Sequence, residues 1–270
     1  MALKDITLGQ YFPGNSILHR LDPRTKLLLT VAYIAALFLA GGTAAYLLLL
    51  AVLGAAIAVS HVGIRSILRG MRPVVVIVVL TGVLNLFYTP GEGDPLVRFW
   101  VFRIYAEGIY AAIFMVLRIL MLITCTFLLT YTTSPIRLTD GLENLMGPLK
   151  KLGAPVHELA MMMSIALRFI PTLIEETDKI MSAQKARGAD FDTGNLVQKA
   201  QALVPLLVPL FISAFRRADE LAVAMECRCY HGGEGRTRLR QLRYGRNDVL
   251  FLLGGAALVA LVAALGFFGL

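Results

Sequence analysis

The chain has 270 residues, 57% of them hydrophobic, with a mean hydropathy of +0.70 and a net charge of +8. Soluble domains hold only about 45–50% apolar residues, so a bilayer is the expected solvent, and the basic excess reads as the cytoplasmic bias of membrane-protein loops rather than a nucleic-acid surface. Cys125, Cys227 and Cys229 are odd in number, and the only close pair is a Cys-x-Cys too short for an ordinary disulfide or zinc site, so reduced thiols are expected.

The opening stretch MALKDITLGQYFPGNS lacks the apolar run and cleavage pattern of a signal peptide, which leaves insertion to the first span. No charge occurs from Leu27 to Ser60. A single helix of that length would measure about 50 Å against a hydrocarbon core of about 30 Å, so Gly41-Gly42-Thr43 is expected to divide it into two short spans. Pro73 to about Tyr88 forms a third, ended by Thr89-Pro90-Gly91. Ile109 to Tyr131 forms a fourth, interrupted only by Arg118. After Asp248, the charge-free run from Val249 to Leu270 forms a fifth.

Positive charge sets the expected orientation. Lys4, Arg20, Arg24 and Lys26 precede the first span, and Arg65, Arg69 and Arg72 are expected in the loop between the second and third; both groups face the cytoplasm. The uncharged turn at Gly41-Gly42 and the mixed loop from Thr89 to Gly108 fit the outside. The chain then divides into an N-terminal membrane domain of four spans (residues 1–131), a cytoplasmic or interfacial helical segment (132–248) and a C-terminal transmembrane helix (249–270) with its end outside.

Within the middle segment, Leu138, Leu142, Leu145 and Leu149 recur at helical spacing and predict an amphipathic helix reaching Gly147-Pro148 or just beyond. Pro155 is expected at the first position of another helix. Its run LAMMMSIALRFIPTLI contains Arg168 and Pro171 and is short for a crossing, which points to a buried or interfacial place. ALVPLLVPLFISAF, with Pro205 and Pro209, reads as a kinked helix at the membrane surface.

Two helices of this segment end alike. One runs from about Glu175, with Glu175, Glu176 and Asp178 in its opening turns and Lys185 and Arg187 in its last, complementing the helix dipole, and Gly188 supplies a left-handed cap. The other passes Phe215, Leu221, Ala222 and Met225 to Glu226-Cys227-Arg228-Cys229. Each arginine stands between small residues, Ala186 and Gly188 or Cys227 and Cys229, so a partner can approach the backbone while the guanidinium donates to carboxylates or carbonyls. Dipole complementation accounts for one such end; two, 41 residues apart, point to docking.

LHRLDPRTKLLL, the stretch SPIRLTDGLENLMGPLKKLGAPVHELAMMMSIALRFIPTLIEE, then QKARGAD and ADELAVAMECRCY before HGGEGRTR, taken in this order, resemble the transmembrane T-component of energy-coupling factor transporters, importers of vitamins and metal ions. The resemblance implies an all-α integral membrane protein with about five transmembrane helices plus long amphipathic cytoplasmic coupling helices, placed in the cell membrane. It implies a non-enzymatic scaffold joining two cytoplasmic ATP-binding-cassette ATPases to a substrate-binding membrane S-component. The ATPases would dock at Ala186-Arg187-Gly188 and Cys227-Arg228-Cys229, the second departing from the family's usual Ala or Gly flanks. ATP and magnesium would be used by the partners, with no cofactor held by this chain. ATPase closure would draw the two tips together, and stiff helices would pass that motion to apolar faces near Met161, Met162, Met163 and Leu206, where the S-component would sit. A methionine-rich face adapts to several partners, and equally suits a core.

Other signals do not assemble into sites. Gly232 to Thr237 imitates a phosphate loop, but Tyr230 and Arg236 occupy its required Gly and Lys positions, so a turn is expected. His19, His61, His157 and His231 are scattered, without metal-ligand spacing. Arg118 inside a span is expected to pair with a backbone carbonyl or with Asn85, either as a tie between spans three and four or as a contact on a transport path. A self-contained permease or channel would need polar residues lining several spans, and these offer mainly Asn85, Arg118, Thr124, Cys125 and Thr126. A membrane enzyme would need convergent acids, bases or metal ligands.

Overall fold

The computed structural model describes residues 11–88, 97–99, 102–189, 191, 195–233 and 241–267. The expectations for the first ten residues, for 89–96 in the loop after the third span and for 234–240 beyond Gly233 lie outside them. In chain order the elements are α1 (Ile17–Arg20), α2 (Pro23–Leu39), α3 (Thr43–Ser60), α4 (Ile64–Tyr88), β1 (Val97–Phe99), β2 (Phe102–Ile104), α5 (Ala106–Thr132), α6 (Pro135–Leu145), a 3-10 turn (Gly147–Leu152), α7 (Val156–Ala186), α8 (Leu196–Glu226) and α9 (Arg246–Phe267). The two strands form one short antiparallel ribbon, Val97 opposite Ile104. Among the described residues, six helices, α3, α4, α5, α7, α8 and α9, are long and apolar enough to cross a membrane. The protein is an all-α, multi-pass membrane protein. Contacts gather the described residues into two units, one of 11–141 with 242–267 and one running from Leu142 to Gln241.

In the first unit, Gly41 and Gly42 part α2 from α3 as composition requires. The core collects Tyr33, Ala36 and Leu37 of α2, Ala45, Tyr46 and Leu49 of α3, Met121 and Cys125 of α5 and Val262 of α9. The outward faces are equally apolar, with Phe38, Leu47 and Val76 largely exposed, a pattern stable only where lipid replaces water.

α4 begins at Ile64, so Arg65, Arg69 and Arg72 occupy helical turns rather than the expected loop, and Pro73 lies inside the helix. Proline removes one hydrogen bond, but in an apolar surrounding the remaining backbone groups have no water to turn to, and the helix continues. Gly70 lets α4 lie against α5, since a Cβ there would sit 2.8 Å from the Tyr131 hydroxyl oxygen and 3.0 Å from the Phe127 ring. Gly70→Leu should therefore destabilise the detergent-solubilised chain by about 1–3 kcal/mol in thermal unfolding. Gly54→Leu, where a Cβ meets open space, should not.

A buried polar knot closes one end of this unit. Asp22 caps α2, accepting the Arg24 amide at 2.9 Å and both Nε and a terminal nitrogen of the Arg24 guanidinium at 3.1 Å. That guanidinium lies 4.1 Å from the centre of the Tyr244 ring. The Asp22 amide donates to Asp248 Oδ1 at 2.8 Å, and Asp248 Oδ2 accepts the Gly245 amide at 2.8 Å at the head of α9. Lys26 Nζ donates to the Thr132 carbonyl at 2.8 Å and Thr133 Oγ1 at 3.1 Å, past the end of α5. The starts of α2 and α9 and the end of α5 thus share one end of the unit.

Arg118 does not pair with Asn85. Its Nε donates to the Tyr46 hydroxyl at 2.9 Å, tying α5 to α3, the second span rather than the third, and its guanidinium lies 5.7 Å from the centre of the Phe38 ring. Asn85 donates to the Thr81 carbonyl of its own helix at 3.0 Å.

In the second unit, the amphipathic helix stops at Leu145 and Leu149 falls in the 3-10 turn, which Gly153 closes at φ +82°. Pro155 is the N-cap of α7, one residue ahead of its expected place. α7 and α8 are each one continuous helix of 31 residues, so the run that Pro155 opens and the helix expected from about Glu175 are a single element, with Pro171 inside α7 and Pro205 and Pro209 inside α8. Asn195 and Gln198 form a reciprocal capping box at the start of α8.

Candidate functional site

Both arginine-bearing ends prove to be the same backbone motif. At the first, the Gly188 amide donates to the Lys185 carbonyl and the Ala189 amide to the Gln184 carbonyl, both at 3.0 Å, with Gly188 at φ +87°. At the second, the Cys229 amide donates to the Glu226 carbonyl at 2.8 Å and the Tyr230 amide to the Met225 carbonyl at 3.0 Å, with Cys229 at φ +57°. A shorter and a longer bond around a left-handed residue make the Schellman ending, which satisfies the last carbonyls of a helix. Arg187 and Arg228 each directly precede the left-handed residue, and Ala186, Arg187, Gly188, Cys227, Arg228 and Cys229 are all exposed.

The left-handed position matters because a side chain there costs about 1–2 kcal/mol, a penalty glycine escapes. Gly188 is built for it and Cys229 is not. Cys229→Gly should slow amide exchange at Tyr230, and Gly188→Ala should speed it at Ala189; equal exchange in parent and variants would show that neither end is governed by this residue.

The two helices run antiparallel. Gln184 of α7 donates through Nε2 to the Pro205 carbonyl of α8 at 3.4 Å. Further along, Arg217 pairs with Glu176 at 3.0 Å, and beyond α8 the Tyr230 hydroxyl donates to Met161 Sδ at 3.1 Å. Between these contacts Ile165, Phe169 and Leu173 face Ala214, Leu221 and Met225 across a groove of about 310 Å³. The contacts at Gln184 and Met161 are separated along α7 by about 35 Å at 1.5 Å per residue. Arg187 and Arg228 therefore stand at opposite ends of one helix pair.

Two partners in this geometry carry no obvious sequence signal. The Pro205 carbonyl is free because Pro209, four residues on, has no amide to donate to it, and Gln184 uses that acceptor. His157 places Nδ1 3.1 Å from Glu143 Oε1 and Nε2 3.5 Å from the Tyr230 hydroxyl. Of the residues expected on the membrane-partner face, Met162 and Met163 are about half exposed, Met161 is engaged by Tyr230, and Leu206 is only 5% exposed. Val204, Leu207, Val208 and Phe211 beside it are exposed.

Comparison with known proteins places this architecture. The family model described as cobalt transport protein, CbiQ, matches residues 14–239. The chain is 57% identical over 247 residues to a protein of Thermosediminibacter oceani, covering 92% of each chain. It is 53% identical over 259 residues to one of Clostridium kluyveri, covering 96% of each. It is 48% identical over 260 residues to one of Bacillus subtilis, covering 96% of this chain and 98% of the other. All three are named energy-coupling factor transporter transmembrane protein EcfT. With the match running through the membrane helices and both arginine-bearing ends, the chain belongs to the family of energy-coupling factor transporter transmembrane proteins.

Proposed function

We propose that this chain is the scaffold subunit of an energy-coupling factor importer, coupling ATP hydrolysis by two cytoplasmic ATP-binding-cassette ATPases to the movement of a vitamin- or metal-binding S-component. The observation that carries the reading is the repeated exposed Schellman end with its arginine, presented once at each end of an antiparallel pair. One ATPase docks at Ala186-Arg187-Gly188 and the other at Cys227-Arg228-Cys229. ATP and magnesium are bound and used by the ATPases, and this chain holds no cofactor and performs no catalysis. Because the tips lie at opposite ends of one pair, drawing them together requires the helices to slide or to change their crossing.

The S-component packs on the exposed apolar surface near Met162 and Met163 and on Val204, Leu207, Val208 and Phe211, with Leu206 supporting it from beneath. The first unit supports a cytoplasmic N-terminus and an outside C-terminus, since the starts of α2 and α9 and the end of α5 lie together. The segment between α5 and α9 thus starts and finishes on the side of the membrane where the chain's cations gather.

A self-contained permease fits less well, because the polar side chains of the fourth span are taken up by the protein's own groups. Thr124 donates to the Leu120 carbonyl at 2.7 Å, Thr126 to that of Leu122 at 2.9 Å, and Arg118 is bound to Tyr46. The deciding experiment is purification of the tagged chain from its own membranes. Recovery with two ATPases and a small membrane protein is the expected result. Recovery of the chain alone, with transport activity after reconstitution, would favour the permease and overturn the scaffold.

A further inference from the structure

We propose that Tyr230, seated by His157, is the positioning residue of the second arginine end, and that the two ends are built unequally, Arg228 being fixed against the start of α7 while Arg187 is held more loosely. The proposal rests on the docking reading and deepens it.

The amide of Tyr230 makes the longer bond of its Schellman ending, so this residue sets the turn in which Arg228 lies. The same residue sends its hydroxyl across to α7, 3.1 Å from Met161 Sδ and 3.5 Å from His157 Nε2. The His157 ring is confined in turn. Glu143 of α6 holds Nδ1 at 3.1 Å, and Gly233 lies so close that a Cβ on it would come within 2.5 Å of the ring. Two residues beyond Arg228, the chain is therefore fastened to α6 and α7 together.

Among the described residues, the first end has nothing equivalent at that position. Ala189 fills the slot of Tyr230 and offers only a methyl group. Among the described residues, its hydrogen-bonded tie to the neighbouring helix is the exposed contact from Gln184 to the Pro205 carbonyl at 3.4 Å, made three residues before Arg187 rather than after it. A group already held in its bound orientation loses less freedom on docking than one that must be ordered. Arg228 thus serves as the fixed anchor, and the Arg187 end accommodates change in the helix pair.

The test uses the full chain in detergent with Cys125→Ser, Cys227→Ser and Cys229→Ser. Spin labels at Glu158→Cys and Glu226→Cys report the second end, and labels at Lys185→Cys and Gln201→Cys the first. The second-end distance distribution should be the narrower of the two. Tyr230→Phe and, from the other side, Gly233→Val should each widen it by about twofold or more, leaving the first end unchanged. Equal widths in the parent, or no widening in either variant, would overturn the proposal.

A second readout uses the complex with Arg187→Glu, so that only the Arg228 end carries load. Tyr230→Phe and His157→Leu should each weaken ATPase retention by about fivefold or more, and His157→Gln, which can donate to the hydroxyl oxygen, should restore most of it. Unchanged retention in Tyr230→Phe would again overturn the positioning role. If the label distances behave as expected while the parent chain retains no ATPase, the docking reading fails and the brace stands.

Discussion

Arg187→Glu and Arg228→Glu combined should leave the chain inserted and folded in the membrane with neither ATPase attached. Both arginines are exposed at helix ends whose carbonyls are already satisfied by backbone amides, so neither is needed to hold its own helix. Each guanidinium has a planar set of donors that a lysine lacks. Reversing a charge at a docking contact removes those donors and sets a carboxylate against the acceptors they served, an effect of about 2–5 kcal/mol, or at least about thirtyfold in affinity. Since the two ends lie about 35 Å apart along the pair, each single reversal should weaken one ATPase contact only. Arg→Lys at either end should give an intermediate loss, keeping charge without the fork. Retention of both ATPases by the double variant, measured on the solubilised complex at fixed salt, would remove these ends from the docking surface.

Asp248→Ala should be the most damaging single change in the membrane unit. Asp248 is 5% exposed, and its two oxygens each serve a separate backbone amide, Asp22 at the head of α2 and Gly245 at the head of α9. Alanine leaves the buried Asp22 amide without an acceptor and removes one of the two anions, with Asp22, whose charge acts on Arg24 and Lys26. An unsatisfied buried group costs about 1–3 kcal/mol and a broken buried charge contact about 3–5, so a loss of about 3 kcal/mol is expected. Thermal unfolding of the detergent-solubilised chain should fall by roughly 6 °C or more. Asp248→Asn, which keeps one carbonyl oxygen, should lose less. An unchanged midpoint in Asp248→Ala would show that α9 is held by apolar packing alone.

Much of this protein was legible in its residues. Long charge-free runs dictate helices in lipid, because no other backbone arrangement satisfies its polar groups there without water, and Gly41-Gly42 and Gly188 act through local geometry. The paired Ala-Arg-Gly and Cys-Arg-Cys ends were visible for the same reason, since caps are written within a few neighbouring residues. Proline misled at one place: Pro73 is expected to open the third span, a boundary signal calibrated on helices in water, yet it lies inside α4, whereas Pro171, Pro205 and Pro209 lie inside helices as their runs suggest, and Pro209 frees a carbonyl that Gln184 uses.

What the sequence by itself determined is therefore the membrane, the helices, most of their ends and the two arginines. Only the tertiary structure decided that Lys26 reaches Thr132, that Asp22 rests on Asp248, that Arg118 takes Tyr46 rather than Asn85, and that the arginine ends face opposite ways along one pair. The division has a physical cause. Periodicity and capping act over one or two helical turns, whereas these contacts join residues as far apart as 226 positions, and no local preference records which distant group will arrive to satisfy a buried donor.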